Sequence, residues 1–133
     1  MSVQALLQAA VASALGEHAA LAEAVTGIFD CPPVRAARPY AVIEEALLAD
    51  WGTKDVPGRE ARLAIRVHDV GERPARLRTL AGAVEDAIQA MPRTLGEGWA
   101  VASLVFLRSR IARDGQGWAS VSEFRVRMLR TEL

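Results

Sequence analysis

The sequence predicts an α+β fold in which a small, mostly antiparallel sheet of two hairpins packs against an N-terminal helix and a central helix. Three observations carry that expectation. From Arg62 to His68 the chain alternates, with Leu63, Ile65 and Val67 on one side and Arg62, Ala64, Arg66 and His68 on the other, the period of two of a half-buried strand. Near the C-terminus two β-favouring runs flank an Asp114-Gly115 pair, a strong short-range hairpin signal. Two other segments space their apolar residues at helical intervals.

Ser2 is placed to cap a first helix whose apolar positions are Val3, Leu6, Leu7, Ala10 and Ala14, and Gly16 is placed to stop it. A shorter helical piece, Ala19 to Val25, ends at Gly27. Ile28 and Phe29 start a brief extended edge or crossing segment. Pro32 and Pro33 terminate it, because proline cannot donate to a ladder and restricts the residue before it. Beyond a loop from Val34 to Arg38, Pro39 leads into an apolar run, Tyr40 to Leu48. This run and Arg62 to His68 read as a long antiparallel hairpin with a projecting tip from Asp50 to Arg59, rich in turn formers.

The loop Val70 to Pro74 puts proline at the first turn of a second long helix, Pro74 to about Ala90. Leu77, Leu80, Ala81, Val84, Ile88 and Met91 form its apolar stripe, expected to cover Leu63, Ile65 and Val67, and Pro92 ends it. Gly96-Glu97-Gly98 reads as a turn. The second hairpin joins Trp99 to Arg110 with Ser120 to Arg130, which alternates with Val121, Phe124, Val126 and Met128 as its apolar residues.

The 133 residues, 51% of them hydrophobic, suit one domain spanning 1–133 with one core. Sixteen Lys and Arg balance sixteen Asp and Glu, so no overall field draws the chain to nucleic acid or to an anionic membrane, and close self-association is permitted. The charges are unevenly spread: Arg108, Arg110, Arg113, Arg125, Arg127 and Arg130 give the C-terminal part a basic character. Cys31 stands alone, which excludes an intrachain disulfide and a cysteine-based zinc site. No leader pattern and no run near the roughly 18 apolar residues of a membrane span is present, so a cytoplasmic place of synthesis and no membrane contact are expected.

Candidate chemistry is sparse. His18 and His68 lie far apart with no Ser, Cys or Asp relay at a telling spacing, and His68-Asp69 reads most plainly as an exposed strand end. Glu44 and Glu45, adjacent on a strand, point to opposite faces and cannot share a proton. Cys31 has no basic neighbour closer than Arg35, which favours a structural role. No glycine-rich loop opens a helix. No catalytic, metal or cofactor-binding residue is therefore expected. Arg108 and Arg110 share parity on one strand and Arg125 and Arg127 on the next, so the hairpin gathers a cationic stripe that fits nucleic acid, an acidic neighbouring subunit, or simply solvent with Glu123 in partial balance. Trp51 and Trp118 fall in turns, where a large ring either folds back on its own chain or anchors a partner.

The collinear set Arg38-Pro39-Tyr40-Ala41-Val42-Ile43, then Asp50-Trp51-Gly52-Thr53-Lys54, then Arg62-Leu63-Ala64-Ile65-Arg66-Val67 resembles the tail-completion or tail-terminator proteins of long-tailed bacteriophages and of phage-like gene transfer agents. The resemblance covers nearly the whole chain, including the N-terminal helix and the C-terminal hairpin. It implies a non-enzymatic structural protein: a self-associating ring, usually hexameric, that caps the head-proximal end of the tail tube, stops its polymerisation and meets the head-tail connector or neck. DNA would pass through such a ring without being read. Trp51, Lys54, Asp55 and Arg59 in the projecting loop, with Arg108, Arg110, Trp118, Arg125 and Arg127 in the hairpin, are the residues assigned to subunit or tail-tube contacts. Localisation would be the host cytoplasm during assembly and then the particle. The competing readings are a neck or head-closure adaptor of similar size, and a small ligand-binding or enzymatic domain built around His68 and Arg66.

Overall fold

The computed structural model describes residues 1–131. Ser2 caps helix α1 (Val3–Glu17) by accepting the Ala5 N–H at 3.1 Å, and Val3, Leu6, Leu7, Val11, Ala14 and Leu15 form its buried side. Gly16 does not stop the helix. It ends one residue later, at Glu17, and is capped by His18, whose Nδ1 accepts from the Leu21 N–H at 3.3 Å and so opens α2 (Ala19–Ala24). The central helix α3 (Ala75–Gln89) buries Leu77, Leu80, Ala81, Ala83, Val84, Ala87 and Ile88, and Met91 follows them into the core.

The strands are β1 (Ile28–Phe29), β2 (Tyr40–Ile43), β3 (Leu47–Asp50), β4 (Gly58–Asp69), β5 (Thr94–Gly96), β6 (Trp99–Asp114) and β7 (Gly117–Arg130). They make one seven-stranded sheet in the order β1-β2-β4-β7-β6-β5, with β3 beside β2 on the same flank of β4. Only β1–β2 is parallel. The α+β class and the two antiparallel hairpins are as expected, with β3–β4 and β6–β7 joined through β4 and β7.

Three details differ from the expectation. The run Tyr40 to Leu48 is not one strand. Ile43 pairs with Ile65 and Leu47 with Arg62, four steps on one side against three on β4, so the chain carries one extra residue. That bulge re-phases the strand: Leu48, opposite Ala61, turns inward, while Leu47, opposite Arg62, is 73% exposed. Strand β5 was not anticipated, because it is three residues long and closed by the turn Gly96-Glu97-Gly98, all at positive φ. On β7, Ser120 and Ser122 share the buried face with Phe124, Val126 and Met128, whereas Val121 lies on the other.

The core is one cluster between the helices and the face of the sheet carrying Leu63, Ile65, Val67, Phe124, Val126 and Met128. Helix α3 packs on β4, β6 and β7, and α1 crosses it to reach β1, β2 and β5. Each large buried side chain contributes about 1.5 to 3 kcal/mol, offset by about 1 to 2 kcal/mol of backbone ordering per residue. Among the described residues no helix covers the opposite face.

Candidate functional site

The helix-free face is laid out in rows by the strand register. From β3 through β4 and β7 to β6 the rows read Ala49, Glu60, Arg127, Ser103 and then Leu47, Arg62, Arg125, Val105. Next come Ala64, Glu123, Arg108 and then Arg66, Val121, Arg110, the last continued on β2 by Val42. Directly paired residues of antiparallel strands point to one side, so the expected stripe of Arg108, Arg110, Arg125 and Arg127 does lie on one face. Arg62 and Arg66 of β4 enlarge it. Their contribution was legible in the alternation of β4 but needed the β4–β7 pairing to place it.

Acids lie among these arginines. Glu44 pairs with Arg66, Glu123 with Arg108, and Glu60 is shared by Arg127 at 3.1 Å and Arg125 at 3.6 Å. The Arg108 hydrogen bond holds the Glu123 carboxyl below its usual range against a smaller opposing effect of burial, with the Arg108 and Arg62 charges adding to it. Arg62 and Arg110 have no acidic partner among the described residues. Arg62 stands directly opposite Arg125, a like-charge pair in which Arg125 has Glu60 beside it at 3.6 Å.

The loop between β3 and β4 is a built structure. The Trp51 N–H donates to Gly58 O at 3.1 Å, the Thr53 N–H to Val56 O at 2.9 Å, and the Gly52 N–H to Asp50 Oδ1 at 3.2 Å. Lys54 and Asp55 stand exposed at its tip, and Arg59 pairs with Asp50 at 3.4 Å. Trp51 is half-buried and the Arg127 guanidinium lies 5.3 Å from its ring centre, a cation–π contact that joins the loop to the arginine face. Trp118 goes elsewhere. It pairs with Asp69 and shares parity with Phe124, so it faces the helix side, half-buried against the core with Arg113 at 4.7 Å.

At the far end of the sheet His68-Asp69 is not an exposed strand end. Asp69 is 3% exposed and its carboxylate takes bonds from Arg76 Nε at 2.9 Å, from the Arg76 terminal nitrogen and from the Val70 N–H at 2.8 Å. His68 Nδ1 is 2.9 Å from Asp114 Oδ2, its ring packs on Tyr40 at 4.9 Å, and Arg38 reaches both Asp69 O and Asp114. The His68 bond draws the Asp114 carboxyl below its ordinary value, opposed by burial and aided by the charges of His68, Arg38 and Arg66. These contacts tie β2, β4 and the β6–β7 turn together, each group already engaged within the fold. Glu44 and Glu45 diverge as expected, to Arg66 and to Gln4 of α1. Beside them Asp30, Cys31, Tyr40, Val42, Arg66 and His68 line a groove of about 520 Å³, and the described residues contain no group of three His, Cys, Asp or Glu able to hold a metal.

The profile of the family described as "Tail completion protein gp17" matches residues 9–129. A chain in the virion of a native gene transfer agent particle is 28% identical, superposes with a TM-score of 0.76, and is matched over 92% of this chain and 94% of that one. The gp17 protein of bacteriophage SPP1, 20% identical, shares the fold with a TM-score of 0.64 over 93% of this chain and 89% of that one. A search of curated proteins gave no match. A match over most of the chain and a shared fold lead to one conclusion: this chain belongs to the tail completion protein gp17 family, structural proteins of phage and gene transfer agent particles.

Proposed function

We propose that this protein forms a ring, hexameric in its working state, at the head-proximal end of the tail tube, where it ends tube polymerisation and joins the tail to the head-tail connector. The observation that carries the reading is the helix-free arginine face with the Trp51 loop fixed to it, in a chain whose family and gene transfer agent likeness run almost end to end. A ring subunit needs two different and complementary lateral surfaces and a third surface for the tube. In this reading Trp51, Lys54, Asp55, Arg59, Arg125 and Arg127 face the tube, and Arg108 and Arg110 face a neighbouring subunit. Trp118 acts only by bracing the β6–β7 turn. DNA passes through the ring without sequence recognition, and assembly takes place in the host cytoplasm before the protein becomes part of the particle. Residues 1–133 act as one domain.

The test is to add purified protein to tail-tube protein during polymerisation and to measure tube length and end structure by electron microscopy. Short tubes with a ring on one end support the proposal. Tubes that grow unchanged and bear no ring overturn it, and binding confined to the portal side favours the neck-adaptor reading.

A further inference from the structure

Among the described residues, and apart from the short end strands β1 and β5, two strand edges of the sheet have no further strand beside them. Strand β3 is hydrogen-bonded only to β4. Strand β6 is paired on its outer side only at Trp99 and Ala100, plus a bond from the Val101 N–H to Arg93 O, which leaves Ala102 to Arg113 open among the described residues. An open strand edge is a template for another strand, and chains that stay single blunt it. Strand β3 is only four residues long and β6 is bulged and bears arginines, yet each edge also carries an exposed apolar side chain: Leu47, 73% exposed, on β3 and Val105, 37% exposed, on β6. Both point to the helix-free face, in the same row of the sheet.

The charges beside them are opposite. The β6 edge carries Arg108 and Arg110, the latter with no acidic partner among the described residues. The β3 side carries Glu44, which shares the helix-free face with Arg66, and Asp50, 82% exposed and 3.4 Å from Arg59. Direction agrees as well. Three successive antiparallel pairings, β3–β4, β4–β7 and β7–β6, make β3 run opposite to β6. A second copy related by rotation about an axis along the strands keeps that direction, so its β3 meets β6 as an antiparallel partner. With Leu47 beside Val105, the Glu44-Glu45 end of β3 comes level with Arg108 and Arg110.

We infer that the β3 edge of one copy adds to the β6 edge of the next, so that one sheet continues from subunit to subunit, with Leu47 against Val105 and the Glu44 end of β3 near Arg108 and Arg110. The contact is head-to-tail and closes into a ring when the rotation fits. This inference rests on the ring reading above and assigns its lateral interface.

Two surface variants test it. Val105→Glu with Arg110→Glu makes the β6 edge acidic, and Glu44→Lys with Leu47→Lys makes the β3 edge basic. Leu47, Val105 and Arg110 are exposed and Glu44 is half-buried, so both variants keep the wild-type circular dichroism spectrum and melt within a few degrees of the wild type. Light scattering reads the mass, with tail-tube protein added if the wild type assembles only on tubes. Each variant alone loses at least tenfold in self-association, and an equimolar mixture recovers the wild-type mass because an acidic edge then meets a basic one. In a Cys31→Ser background, Leu47→Cys with Val105→Cys gives a covalent ladder on oxidation that neither single cysteine gives. A wild type that assembles while both variants assemble equally well, with no ladder, overturns the edge assignment and leaves the ring standing. A wild type that stays monomeric in solution and on tubes overturns both.

Discussion

Arg76, on the first turn of α3, closes two nitrogens onto the carboxylate of Asp69 at the end of β4, so an ion pair ties the start of the central helix to the sheet. Burial raises the Asp69 pKa, but the bonds from Arg76 and the Val70 N–H, with the Arg76 and Arg38 charges, outweigh it and leave it below its ordinary value. Arg76→Ala leaves a buried carboxylate short of donors and is expected to cost about 1 to 3 kcal/mol in urea denaturation.

The same pair sets an acid limb. Because the folded carboxyl gives up its proton more readily than the unfolded one, the unfolded chain binds more protons in acid and stability rises with pH. The contribution is complete above the unfolded value of about 3.9 and is lost as pH falls through the lower folded value. Asp69→Asn should flatten the pH dependence of melting below about pH 4.

Gly117 begins β7 directly against the polar knot at the sheet end. A Cβ there would overlap the Asp69 carbonyl oxygen, a backbone atom that cannot rotate away. Gly117→Ala is therefore expected to destabilise by about 1 to 3 kcal/mol, whereas Gly115→Ala in the adjacent turn meets no atom and suffers only from its positive φ.

Phe124, fully buried, packs edge-on against Phe106 at 5.7 Å in the middle of the sheet. Phe124→Ala should cost about 3 to 5 kcal/mol and lower the melting temperature by roughly 10 to 20 °C.

Trp51 and Arg127 separate folding from assembly. Trp51→Ala removes a half-buried ring from a loop that keeps its own backbone hydrogen bonds, so melting should move by only a few degrees. Binding to tail tubes, measured by co-sedimentation, should weaken about tenfold or more, the effect of losing a tryptophan anchor.

Much of this architecture was legible in the residues. The stripe from Leu77 to Met91, the alternation at Leu63, Ile65 and Val67 and the Asp114-Gly115 turn are local signals, and each marks an element that forms. What escaped was pairing. The bulge at Glu44 to Ala46 exists only relative to β4, and it alone decides that Leu47 faces out while Leu48 faces in. Arg62 joined the arginine face through the β4–β7 register, which no local pattern encodes. Asp69 looked exposed because its partner, Arg76, lies across a loop on another element.

Whether this chain ends the growth of the tail tube is read from tail lengths in particles assembled without it. Tubes of uncontrolled, excessive length that lack heads are expected, restored to one length when the protein is supplied. Tubes of normal length beside heads that leak their DNA would contradict a role in ending tube growth.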